Sequence, residues 1–101
     1  MPEHAVIIRF DYTAASLDPL HRLEDRLTER LAEAGGECDG HDITPDLSSV
    51  TIYLYGPDAE SLFDIARRVV TNAEGVANAV ATLRFGPPED GVPQREQRLS
   101  D

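Results

Sequence analysis

Residues 37–56, ECDGHDITPDLSSVTIYLYG, decide the fold. Their second half, VTIYLYG at 50–56, is the strongest strand signal in the chain, because β-branched and aromatic residues alternate and place Val50, Ile52 and Leu54 on one face. Their first half is harder. Residues 37–46 pack one cysteine, one histidine and four carboxylates into ten positions, which could describe a metal site, a catalytic loop or an acidic surface strand. TPDLSS, with its Pro, Asp and Ser, has the composition of a hairpin loop, so residues 37–44 are expected to be a strand returning into 50–56.

The flanks extend that hairpin into a whole fold. HAVIIRFDY at 4–12 reads as a strand. Asp18 is the expected N-cap of a first helix with Pro19 in its first turn. Leu20, Leu23, Leu27, Leu31 and Ala34 form its apolar stripe, and Gly35-Gly36 stops it. Arg22 with Asp25, Arg26 with Glu29 and Arg30 with Glu33 are expected to pair on its solvated side. After Gly56-Pro57, Asp58 caps a second helix whose stripe is Leu62, Ile65, Ala66, Val69, Val70 and Ala73. AVATLRF at 79–85 is a last strand. The order β-α-β-β-α-β predicts an α+β, ferredoxin-like two-layer sandwich, with a four-stranded antiparallel sheet and both helices on one face. The second strand then lies at a sheet edge. Residues 1–86 are read as one domain, and 87–101, rich in proline and glycine, as a flexible tail.

A chain of 101 residues suits one domain with a single two-layer core. No apolar run approaches the roughly 20 residues of a transmembrane helix. MPEHAVIIRF has no basic region before an apolar segment, so no secretory leader is expected. Cys38 stands alone, which allows no internal disulfide and suggests a reducing cytoplasm. The net charge is −10, and every basic residue is arginine. That balance argues against nucleic acid and anionic membranes as partners, since both need phosphate neutralised, and allows a basic protein partner.

Alternation along the strands sorts side chains between the two sheet faces. Val6, Ile8, Phe10, Val50, Ile52, Leu54, Ala81, Leu83 and Phe85 are expected under the helices. Ile7, Arg9, Asp11, Thr51, Tyr53, Tyr55, Val80, Thr82 and Arg84 are expected on the open face. Of these, Arg9, Asp11, Tyr53, Tyr55 and Arg84 are the candidate ligand contacts for a small anion. The same face, or the edge strand, is also where a homodimer would form. Tyr53 and Tyr55 resemble in layout the base-stacking aromatics of RNA-recognition domains. However, SSVTIYLYG lacks that family's Lys/Arg-Gly-aromatic start, and no nucleic-acid binding is expected.

Between Leu31 and Ala66 the chain has eight carboxylates and no arginine, so this stretch holds −8 of the −10. The candidate interaction surface is Glu37, Asp39, His41, Asp42, Asp46, Asp58 and Glu60. Local reasons exist for some of these: Asp58 and Glu60 suit a helix N-terminus, and charge on an edge strand discourages aggregation. Cys-x-x-His at 38 and 41 is half of a zinc site, and Asp39 with Asp42 lacks the alternating acids of a calcium loop, so no metal is expected. Three-residue spacing on a regular strand sends Cys38 and His41 to opposite faces. Asp39-Gly40, read as a bulge, brings Cys38 and Ile43 to the core side. No catalytic residue, cofactor or phosphate loop is expected.

GECDGHDI, IYLYGPDAESLF and LRFGPP together resemble small single-domain bacterial proteins of unassigned function, over residues 5 to about 88. The chain is also similar to ferredoxin-like modules, a group that includes ligand-sensing ACT domains. The resemblance implies the fold and no activity. The leading expectation is a non-enzymatic cytoplasmic interaction protein with an acidic edge-strand surface for a basic partner, of the immunity or antitoxin type. The alternative is an ACT-like regulatory domain that binds a small anion on the open face.

Overall fold

In a computed structural model, residues 3–87 and 91–99 are described. Strands and helices follow in the order β1 (His4–Tyr12), α1 (Asp18–Ala32), β2 (Glu37–Ile43), β3 (Ser49–Gly56), α2 (Ala59–Thr71), β4 (Val76–Arg84) and β5 (Gln94–Arg98). The first six fit β-α-β-β-α-β. All strand pairs are antiparallel, in the sheet order β2-β3-β1-β4-β5. Among the described residues, no helix is long and apolar enough to cross a membrane.

Among the described residues the sheet therefore has five strands where four were expected. β5 lies inside the segment read as a flexible tail, of which 88–90 and 100–101 lie outside the described residues. Its sequence, QREQR, shows no apolar alternation because both of its faces are exposed. What it satisfies is the backbone of β4, whose outer edge would otherwise be unpaired: Val80 pairs with Arg98 and Arg84 with Gln94. The anchor follows the strand. Leu99 is 5 % exposed, its N–H donates to the Ala79 carbonyl at 3.0 Å, and its own carbonyl accepts from Thr71 Oγ1 at 3.4 Å.

The core lies between the sheet and the helices. Val6, Ile8, Val50, Ile52, Leu54, Ala81 and Leu83 are fully buried and Phe10 nearly so, while Phe85, just past β4, is partly buried. Pro19, Leu20, Leu23, Leu27 and Leu31 face them from α1, and Ala59, Leu62, Phe63, Ala66 and Val70 from α2. Each large aliphatic removed here would cost about 2–5 kcal/mol through lost transfer energy and the cavity left behind.

The two helices start differently. Asp58 caps α2, its carboxylate accepting from Glu60 N–H at 3.2 Å and Ser61 Oγ at 2.8 Å. Asp18 does not cap α1; the N-cap is Leu17, which makes no side-chain cap bond. Tyr12 fills the role from β1: its hydroxyl accepts from Leu20 N–H at 3.3 Å and donates to the Ser16 carbonyl. A buried hydroxyl from another element satisfies the free helix N–H. α1 ends as expected, with Gly35 at φ +73 and Gly36 N–H bonded to the Leu31 carbonyl at 2.8 Å. Gly36 and Gly56 then cross at close range: a Cβ on Gly36 would lie 2.5 Å from Leu62 Cδ2, and one on Gly56 would lie 3.1 Å from Gly36 Cα.

Candidate functional site

Strand register sets what each acidic residue can do. Cys38 pairs with Leu54 and His41 with Ile52, so one extra residue is looped out between them, where Gly40 takes φ +101. The bulge at Asp39-Gly40 turns Cys38 and Ile43 toward the core. It also returns His41 to the helix side, which corrects the opposite-face expectation for Cys38 and His41. Regular alternation does not hold across a bulge.

His41 then leaves the acidic surface. Its Nδ1 lies 2.9 Å from Glu24 Oε2 of α1, with both side chains about four-fifths buried, so the pair ties β2 to α1. Cys38 is half-buried beside it. Burial pushes its thiol up, against a backbone N–H from Gly40 that lowers it, and the Glu24 and Asp39 charges push it up further. The thiol is thus held in its unreactive protonated form at neutral pH. Among the described residues no group of three or more His, Cys, Asp or Glu is placed to hold a metal ion.

The other carboxylates divide by task. Asp46 builds the β2–β3 turn. It accepts from Thr44 Oγ1 at 2.8 Å, Ser48 Oγ at 2.7 Å and Ser48 N–H at 3.1 Å, and bonds from Ser48 and then Thr44 hold its carboxyl below the usual range. Asp58 is the α2 cap. Glu60 belongs to β5, since Arg95 reaches it at 2.7 Å while stacking 5.6 Å from the Phe85 ring centroid. That clamp continues to His4, which packs edge-on to Phe85 and accepts the Ala59 N–H on Nδ1 at 3.0 Å. Glu37, Asp39 and Asp42 remain exposed along the outer strand, and among the described residues none lies within 4.0 Å of an arginine nitrogen.

The open face can be read row by row across the strands. Glu37, Tyr55, Ala5, Arg84 and Gln94 form one row; Tyr53, Ile7, Thr82 and Glu96 the next; Asp42, Thr51, Arg9, Val80 and Arg98 a third. Asp42 accepts the Tyr53 hydroxyl at 2.7 Å, and this bond is the main cause that raises the Tyr53 phenol above its ordinary value. Asp11 lies beyond Arg9 and accepts from Asn78 Nδ2 at 2.9 Å, Asn78 being the bulged residue of β4 at φ +56.

Arg9 and Arg84 are brought to the same face but not to the same place. They lie on adjacent strands four residues apart in register, roughly 13 Å. Arg84 also directs its Nε away from Arg9, to the Gly86 carbonyl at 2.8 Å. One small anion does not bridge them. Arg98, two strands from Arg9 in the same row, has no sequence signal, because QREQR is exposed at every residue and lacks apolar alternation.

A groove of about 580 Å³ lies elsewhere, between the exposed sides of α1 and α2, with Arg26, Arg30, Arg68, Ile65 and Val69 among its lining residues. It contains none of the candidate residues, and Glu29 and Glu33 alternate with its arginines. The expected pairs of Arg22 with Asp25, Arg26 with Glu29 and Arg30 with Glu33 are not formed among the described residues; Arg22 reaches Glu74 at 3.7 Å instead. Exposed pairs at this spacing gain so little that some form and some do not; on α2, Arg67 does reach Asp64 at 3.9 Å.

No protein-family model and no curated protein matches the chain. Solved structures do match it in shape. One is the crystal structure of SCO4226 from Streptomyces coelicolor A3(2), at TM-score 0.56 and 15 % identity, covering 73 % of this chain and 91 % of that one. Another is TiaS, solved as a complex with an isoleucine tRNA, AMPCPP and agmatine, at TM-score 0.51 and 18 % identity. That match covers 82 % of this chain but 23 % of TiaS. At such identities the likeness is one of fold.

Proposed function

We propose that the protein is a non-enzymatic, cytoplasmic interaction module of ferredoxin-like type that presents the outer edge of β2 to a basic protein partner, as acidic immunity proteins and antitoxins do. One observation carries the reading. Glu37 and Asp39 stand exposed on an edge strand, with no arginine within 4.0 Å among the described residues. Unpaired carboxylates on a sheet edge offer a basic segment both charge and a row of free backbone groups. The wider acidic half strengthens the field that steers such a partner inward.

The test is titration with a Lys/Arg-rich peptide at low and at raised salt. Binding should weaken steeply as salt rises and fall by about tenfold or more in the Glu37→Lys/Asp39→Lys double variant. Equal affinity for the native protein and the double variant would rule the reading out.

A further inference from the structure

Among the described residues, one face of the sheet has no helix over it, and the charges at its two margins differ in sign. The β2 margin contributes Glu37 and Asp42, whereas the β4–β5 margin contributes Arg84 and Arg98, with Glu96 between their rows. Between the margins, the half-buried Ile7 lies at the centre, flanked by Tyr53 and Tyr55, with the exposed Arg9 and Asp11 farther along β1. A face acidic at one side and basic at the other is complementary to itself.

We propose that a second copy of this chain covers the face, related by a two-fold axis that runs along β1. Rotation about such an axis keeps each row over its own counterpart and exchanges the margins. Tyr55 then meets the second copy's Arg84 in the first row, an aromatic ring against a guanidinium. Asp42 meets the second copy's Arg98 in the third row. Ile7 meets its own counterpart near the axis, which removes the apolar centre from water. Arg9 and Asp11 of β1 also meet their own counterparts. Each of these like-charge contacts is offset by the diagonal approach of Arg9 in one copy to Asp11 of the other, two residues along the same face. A two-fold across the strands would stack β2 on β2 and set acid against acid, so the charge pattern selects the first arrangement.

Sedimentation velocity tests this directly. The native protein should sediment at twice 11.1 kDa, and Ile7→Asp should give a monomer with unchanged circular dichroism. Asp42→Arg and Arg98→Asp should each weaken self-association by about tenfold or more. Mixing the two single variants should restore the dimer, because each pairing in the mixed species regains opposite charges. A native monomer at the highest attainable concentration would overturn the proposal. So would a dimer indifferent to Ile7→Asp, which would point to an edge contact, or a mixture that stays as weak as its components. Neither Glu37 nor Asp39 is varied here, so failure of this inference leaves the basic-partner reading standing, and the reverse holds.

Discussion

Gly40 is a single residue whose conformation decides the character of its neighbours. At φ +101, with no heavy atom within 4 Å of a Cβ placed there, it is kept by backbone geometry and not by crowding. Its bulge puts Cys38 under α1 beside the His41–Glu24 pair, where the thiolate is disfavoured. Cys38 should therefore react with a disulfide reagent well below the rate of an unfolded cysteine at pH 7–8, and the rate should rise only as the pH climbs past the range of an ordinary thiol. Timed labelling with and without denaturant checks this; equal rates in both would show an accessible thiol. The bulge itself was legible, since a glycine after an aspartate interrupts the alternation. The His41–Glu24 pair was not, because it joins residues on different elements that share no sequence pattern.

Elements were legible in proportion to how strictly they alternate or repeat. β3 and α2 bury one face against the core, so their apolar residues fall at two-residue or at three- and four-residue steps. β5 buries neither face and has no such signature. The residue that secures it, Leu99, sits outside the strand and looks in sequence like an isolated apolar residue in a polar tail. The α1 cap was hidden for a related reason: the sequence places Asp18 where a cap belongs, while the bond comes from Tyr12 on another element. Leu99→Ala should cost about 2–3 kcal/mol, from loss of a buried aliphatic at the margin of the core. It should also release the amides of β5 to hydrogen exchange, while β1 and β3 stay protected. Uniform loss of protection over all strands would mean that β5 is inseparable from the rest. Arg95→Ala, which removes only an exposed ion pair and a ring contact, should cost less than about 1 kcal/mol.

At the scale of the molecule, the charge distribution follows the sheet. With −10 overall, the chain keeps its guanidiniums on the helices, β1 and the β4–β5 side, and leaves the β2 side uniformly acidic. The acidic stretch was visible in sequence as a run without arginine. Its division into cap, turn, clamp and free edge was not, because each task depends on a partner supplied by folding: Ser48 for Asp46, Arg95 for Glu60, Glu24 for His41. The open face was assigned correctly on β1, β3 and β4 by alternation, and its basic margin was incomplete without β5.

β1, first of the strands in the chain, occupies the middle of the sheet, and both its neighbours come from far along it: Ala5 pairs with Tyr55 on one side and Arg84 on the other. Neither pairing can nucleate from a local turn, so large loops must close before the sheet gains its first central contacts. The β2–β3 hairpin has the shortest connection of the paired strands, and without β1 beside it a lone hairpin is marginal in water. Refolding should accordingly fall in the millisecond-to-second range typical of non-local topologies, as stopped-flow fluorescence of the tyrosines would report. A microsecond phase carrying the full amplitude would contradict it. On the ribosome, the oldest strand must wait, unpaired and strongly apolar, until β3 and then β4 have been made.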